Sequence, residues 1–215
     1  MLQDLNSETI VTLVPLGFVE EINHRVVNEF AEAVSSLSLA AARSPGGASR
    51  ESLEGAAERL LAHAELHRAL LRPLDRRPNL ADYLGRICSG FSKAFLAERG
   101  VRLQMKCDDV RISADRCWRV GLIVAELIRN AARHGLRGMP GAIVVELRQR
   151  ANTITCLIGD DGRADPQPRP GKGRELISLL AAELGGSVEW RFTDLGTIAG
   201  LEIPIDQPLD PIALS

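Results

Sequence analysis

The chain has 215 residues, of which 45% are hydrophobic and 25% charged, and a formal net charge of −2. That length holds one large or two small domains with real cores, and the near-zero charge lacks the basic surface that nucleic-acid binding demands, so no nucleic-acid partner is expected. No apolar run approaches the ~20 residues of a membrane span, and no positive segment followed by an apolar core opens the chain, so a soluble, cytoplasmic protein without membrane insertion is expected.

Residues from about Ser7 to Ala42 read as one long helix, which Pro15 and Gly17 can end or kink near its start. Val19, Ile22, Val26, Phe30, Ala33, Leu37 and Ala40 recur at spacings of three and four and predict one buried stripe. His24 lies two residues past Ile22, about 200° around the helix, and so points away from that stripe. Asn28 shares its face one turn on, and Glu20 and Glu21 one turn back. An exposed neutral imidazole is a competent nucleophile, and a neighbouring carboxylate can orient it.

Ser44-Pro-Gly-Gly-Ala-Ser49 is a clear turn, and a second helix follows from about Arg50 to Arg72. Its positions Leu53, Ala57, Leu60, Ala64, His67, Leu71 and Leu74 alternate spacings of four and three, the seam of a helix bundle. Two such helices form an antiparallel hairpin with too little core to bury both stripes, so two chains are expected to pair into a dimeric four-helix bundle. His63 and His67 stand at i and i+4, but Glu65 does not directly follow the first histidine as in zinc proteases, and His67 falls on the apolar seam; metal binding is not expected there. The cysteines, Cys88, Cys107, Cys117 and Cys156, have no Cys-x-x-Cys spacing and read as free thiols.

Arg72-Pro-Leu-Asp-Arg-Arg-Pro-Asn79 reads as a linker, and the periodicity changes after it. Residues 80–98 predict a helix, 101–105 a strand and 115–134 a helix capped by Ser113 or Asp115. Strands are expected over 142–147 and 153–158, a helix over 173–184, and closing strands over 187–192 and 198–203. The class is therefore α+β, with a hairpin domain over 1–75, an α/β sandwich over 76–206 whose helices cover one sheet face, and a tail over 207–215.

The helix over 115–134 gathers Glu126, Asn130, Arg133 and His134 on one face, a set suited to a magnesium nucleotide: a carboxylate to polarise the attacking group, an amide oxygen for the metal, a guanidinium for phosphate. The apolar strand after it runs directly into Gly159-Asp-Asp-Gly-Arg163, where a carboxylate and a glycine permit close approach of a ligand. Gly171-Lys-Gly173 opens a helix, and Gly196-Thr197 precedes the last strand.

Taken in order, these motifs resemble the ATP-binding domain shared by histidine kinases, gyrase, the Hsp90 chaperone and MutL, over about Leu80 to Pro204. The segment Glu20 to Asn28 resembles the phosphoacceptor box of bacterial sensor histidine kinases of the Glu-x-x-His-Arg-Val-x-Asn type. The resemblance implies that His24 is phosphorylated, that Glu126 acts as general base or polarising carboxylate, and that Asn130 binds Mg2+. It places Arg133 and His134 beside the phosphates of ATP, Asp160 on the adenine amino group with Thr197 behind it, and Gly162, Gly171 and Gly173 around the pocket. Asn28 matches the position that orients water for dephosphorylation of a response regulator. The implied activity is a histidine kinase of a two-component system passing phosphate from His24 to a receiver-domain aspartate. The chain departs from the pattern at Ala164, which replaces a glycine, at Arg174, where leucine is common, and in the short proline-rich segment 163–170. These departures motivate a second reading, an ATP-independent phosphotransfer protein relaying phosphate between response regulators. A third is a serine kinase or sigma-factor regulator on the same ATPase fold.

Overall fold

The computed structural model describes residues 16–163 and 172–205; the expected helix start at Ser7 and the tail lie outside the described residues. Helix α1 (Leu16–Arg43) and helix α2 (Ala48–Ala69) form the hairpin, turned by Gly46 and Gly47, both at positive φ. Glycine alone takes such angles without a Cβ penalty.

Within one chain the hairpin buries little. Val27, Ala41, Ala57 and Ala64 are buried, whereas Phe18, Ile22, Leu39 and Leu61 stay exposed and Val26, Phe30, Leu37, Leu53 and Leu60 are half-buried. The predicted stripe is therefore present but only partly covered, and its last member shifts from Ala40 to Ala41. Helix α2 ends at Ala69, earlier than its periodicity predicts, and Leu74 is fully exposed beyond it. Pro73 has no N–H to continue a helix and disfavours helical backbone at Arg72 before it.

The second half is a five-stranded mixed sheet with helices α3 (Leu80–Phe91), α4 (Ala114–Asn130) and α5 (Lys172–Glu183) packed on it. Its strands are β1 (Val101–Cys107), β2 (Gly141–Arg150), β3 (Thr153–Asp160), β4 (Ser187–Thr193) and β5 (Gly196–Pro204), in the order β1-β2-β3-β5-β4. Only β1 and β2 pair in parallel; every other pairing is antiparallel. Helix α3 is capped by Asn79, whose side-chain oxygen accepts from the Ala81 and Asp82 amides at 2.9 and 3.4 Å. Ser113, not Asp115, caps α4 through the Arg116 amide.

One apolar core joins the sheet to its helices: Ile143, Val145 and Leu147 from β2, Ile154, Cys156 and Ile158 from β3, and Ile123, Leu127 and Ile128 from α4 are all buried. Leu66 and Leu70, from the end of α2, belong to that same core. A Cβ on Gly90 would stand 2.9 Å from the Leu66 Cα, so α2 and α3 touch backbone to backbone. Just past α2, Tyr83 Oη of α3 donates to the Leu71 carbonyl at 3.2 Å and Trp118 Nε1 of α4 donates to the Leu70 carbonyl at 2.9 Å. Among the described residues no helix is long and apolar enough to cross a membrane.

Candidate functional site

Strand β3 alternates buried and half-buried residues and delivers Asp160, 9% exposed, to its end. The Asp160 Oδ1 accepts from the Gly162 amide at 3.0 Å and from the Thr197 amide at 3.4 Å. Burial pushes the Asp160 carboxyl above the usual range, while those two amides pull the other way. The neighbouring Asp161 is spent on structure: its Oδ1 accepts from the Ala142 amide at 2.7 Å, tying β2 to β3. The backbone closes tightly around Asp160. A side chain at Gly135 would strike its carboxyl, and one at Gly162 would strike the Gly135 carbonyl.

Helix α4 carries Glu126 and Asn130 and then relaxes into a π-helical turn, Ala131–Gly135, which presents Arg133 and His134. Such turns occur often at functional sites because the extra residue re-aims the side chains beyond it. Glu126 is held by Arg129 Nη1 at 2.6 Å. Gly173, in the first turn of α5, comes so close that a Cβ there would lie 2.6 Å from Glu126 Oε1.

These parts meet in one cavity of about 840 Å³, a volume suited to a nucleotide-sized ligand. Glu126, Asn130, Arg133, His134, Asp160, Gly173 and Thr197 all line it; Gly162 adjoins it through Asp160, and Gly171 lies outside the described residues. The cavity is divided chemically. Asp160 and Thr197 sit with the apolar Ile158 and Ala199, a setting for a flat base with hydrogen-bonding edges. At Glu126 and Asn130 the cations are Arg133, in the turn that follows Asn130, and Lys172, next to the Gly173 that stands against Glu126, a setting for an anion and its counter-ion. Asn130 brings a neutral amide oxygen to this lining, a ligand type that hard divalent cations accept.

Sequence reasoning missed several lining residues, Trp190, Phe192, Lys172 and Arg137. The signal for the aromatic pair was available: Val188, Trp190 and Phe192 alternate along β4, and that face is the more covered one. Arg174, noted only as a departure, stacks over the Trp190 and Phe192 rings at 5.4 and 5.1 Å.

On the hairpin, His24 and Asn28 are exposed on α1, with Glu21 exposed and Glu20 half-buried beside them. Asn23, next to His24, instead faces α2, its Oδ1 3.4 Å from His67 Nδ1. His63 and His67 pack among aromatic rings: Phe30 lies 6.1 and 5.6 Å from them, and Phe95 4.5 Å from His63. No cluster of three or more metal-ligating side chains occurs among the described residues.

Two family models match the chain side by side: a histidine kinase model over residues 21–95 and a histidine kinase-like ATPase domain over residues 97–187. The sensor histidine kinase PdtaS of Mycobacterium tuberculosis is 26% identical over 196 residues, covering 87% of this chain and 39% of PdtaS. Blue-light-activated histidine kinase 2 of Erythrobacter litoralis is 29% identical over 205 residues, covering 90% of this chain and 58% of that protein. The chain thus spans between two fifths and three fifths of these relatives. Among solved structures, the histidine kinase domain of the Erythrobacter litoralis EL346 blue-light activated kinase superposes with a TM-score of 0.57 at 19% identity, covering 83% of this chain and 96% of that one. A structure described as a bacterial phosphotransferase gives a TM-score of 0.61 at 15% identity, covering 88% and 98%. A region that matches the histidine kinase model is thus followed directly by one that matches the histidine kinase-like ATPase domain, and together they make up a histidine kinase core.

Proposed function

We propose that the chain is the kinase core of a two-component system: it phosphorylates His24 from ATP and passes the phosphoryl group to an aspartate of a response regulator receiver domain. The observation that carries this reading is the single cavity in which a carboxylate pocket for a base and a cation-rich end with Glu126 and Asn130 lie side by side. The exposed ring nitrogen of His24 attacks the γ-phosphorus, so that an N–P bond forms and the bond to the bridging oxygen of ADP breaks. Glu126 accepts the proton on the other ring nitrogen. Arg133, His134 and Lys172 hold phosphate charge, Asn130 serves as a Mg2+ ligand, and Asp160 accepts from the adenine amino group with Thr197 behind it. When bound, Mg2+ neutralises charge between the β- and γ-phosphates.

The incompletely covered hairpin supports assembly as a homodimer through α1 and α2, in the cytoplasm where receiver domains are found. Asn28, on the exposed face of His24, would orient a water against a phosphorylated receiver. Incubation of the protein with Mg2+ and γ-labelled ATP tests the reading. Acid-labile label that disappears in His24→Ala and Asn130→Ala is expected, and a folded dimer that takes no label would refute it. The ion pair that engages Glu126 with Arg129 favours one second reading, ATP-independent relay through His24. In that case label reaches His24 from a phosphorylated receiver domain but not from ATP.

A further inference from the structure

The cavity holds several cations, and one of them has an unusual setting. Arg174 leaves the first turn of α5 and lays its guanidinium over the rings of Trp190 and Phe192, 5.4 and 5.1 Å from their centroids. The two rings project from β4 opposite Ala199 and Thr197, so they flank the strand positions beside Asp160. Other arginines of this region are engaged by carboxylates: Arg129 with Glu126, Arg119 with Glu183. Among the described residues, Arg174 has no carboxylate partner.

A guanidinium stacked on aromatic faces uses its flat face for the rings and keeps its N–H edge free for an anion. The stacking also removes much of the rotamer freedom that a long side chain loses on binding. Gly173, the residue before it, stands against Glu126 at the opposite end of the cavity, so the Arg174 backbone begins at the Glu126 side and its side chain reaches back toward the base pocket. The residue therefore spans from the Glu126 end of the cavity toward the strand positions beside Asp160.

We propose that Arg174, held on the Trp190 and Phe192 rings, is a phosphate-binding residue of the nucleotide site and that the two rings act as its positioning residues. This rests on the reading of the cavity as an ATP site. Three outcomes follow for binding. Arg174→Ala lowers affinity for Mg-ATP by roughly tenfold or more, the scale of one charge-assisted hydrogen bond, and leaves adenosine affinity within about twofold. Arg174→Lys fails to restore ATP affinity, because an ammonium lacks the planar fork. Trp190→Leu weakens ATP binding about threefold in the parent and not at all on the Arg174→Ala background, while Trp190→Phe keeps parental affinity.

Titration calorimetry with Mg-ATP and adenosine on the full chain, with thermal melts of each variant, makes the test. A second readout is tryptophan emission: Trp190 should respond to ATP, and Trp118, buried on the Leu70 carbonyl, should not. Equal ATP affinity in parent and Arg174→Ala overturns the proposal alone. An equal loss for adenosine also overturns it, by making Arg174 a base contact. Additive losses for Trp190→Leu and Arg174→Ala remove the positioning role of the rings. Absence of ATP binding by the parent chain overturns the ATP-site reading itself, and this proposal with it.

Discussion

Arg129 Nη1 lies 2.6 Å from Glu126 Oε2, one helical turn away on α4, so the carboxylate at the cation-rich end of the cavity is already engaged. The Arg129 side chain is about half exposed, and such i,i+3 pairs contribute only ~0.3–0.5 kcal/mol. Arg129→Ala should therefore leave thermal stability nearly unchanged, yet free Glu126 for the imidazole and raise the autophosphorylation rate several-fold. Glu126→Gln should lower that rate by roughly 10²-fold or more with little change in nucleotide affinity. A rate that falls in Arg129→Ala would show that the pair orients the carboxylate and does not sequester it.

Gly90 is the point at which α3 presses on α2. A methyl group there meets the Leu66 Cα at 2.9 Å, and backbone cannot step aside as a side chain can. Gly90→Ala is expected to cost about 1–3 kcal/mol, measured by denaturant unfolding. Gly55, whose added Cβ would meet only the far end of Arg59, is the control, and Gly55→Ala should gain about 0.5–1 kcal/mol from helix propensity.

His67 has its imidazole held below the ordinary value of 6.5, first by burial and then by the charges of Arg129 and His63. The unfolded chain therefore binds the proton more readily than the folded one between the folded value and 6.5. Stability from this residue is complete above 6.5 and declines as pH falls from there toward the folded value. Denaturant midpoints across that range should drop on acidification, and His67→Gln should flatten the drop. An unchanged slope in His67→Gln would assign the effect to another group.

The exposed apolar residues of the hairpin make a prediction about mass. Ile22 and Leu39 are 44% and 59% exposed in one chain, surface a second hairpin would cover. Light scattering should give twice 23.3 kDa for the parent. Ile22→Glu with Leu39→Glu should return the mass to that of one chain, with the α/β half still folded. A monomeric parent would remove the four-helix bundle from the proposal.

Much of this architecture is written in local pattern. The period-3.6 stripes of α1, α2 and α4, the Ser113 cap, and the alternation in β3 each follow from residues within a few positions of one another. Asp160 could be separated from Asp161 only by motif order; the structure shows the physical difference, one carboxyl facing the cavity and the other fastening Ala142. Nonlocal features were out of reach. That β5 pairs with β3 as well as with its hairpin partner β4, and so brings Thr197 to Asp160, depends on a contact that no neighbouring residue announces. The π-helical turn after Asn130 is equally silent, because Ala-Ala-Arg-His-Gly has no residue that forces it.

Leu66 and Leu70 are built into the core of the sheet domain although they sit on the hairpin side of the linker. The proline-bearing segment 73–78 is therefore no free hinge. If His24 travels to the cavity, either those two leucines are stripped from their core at a cost of a few kcal/mol, or the shafts of α1 and α2 bend above Leu66 while their roots stay planted. On the second route the hairpin would flex as a lever whose stiffness is set by residues far from the cavity.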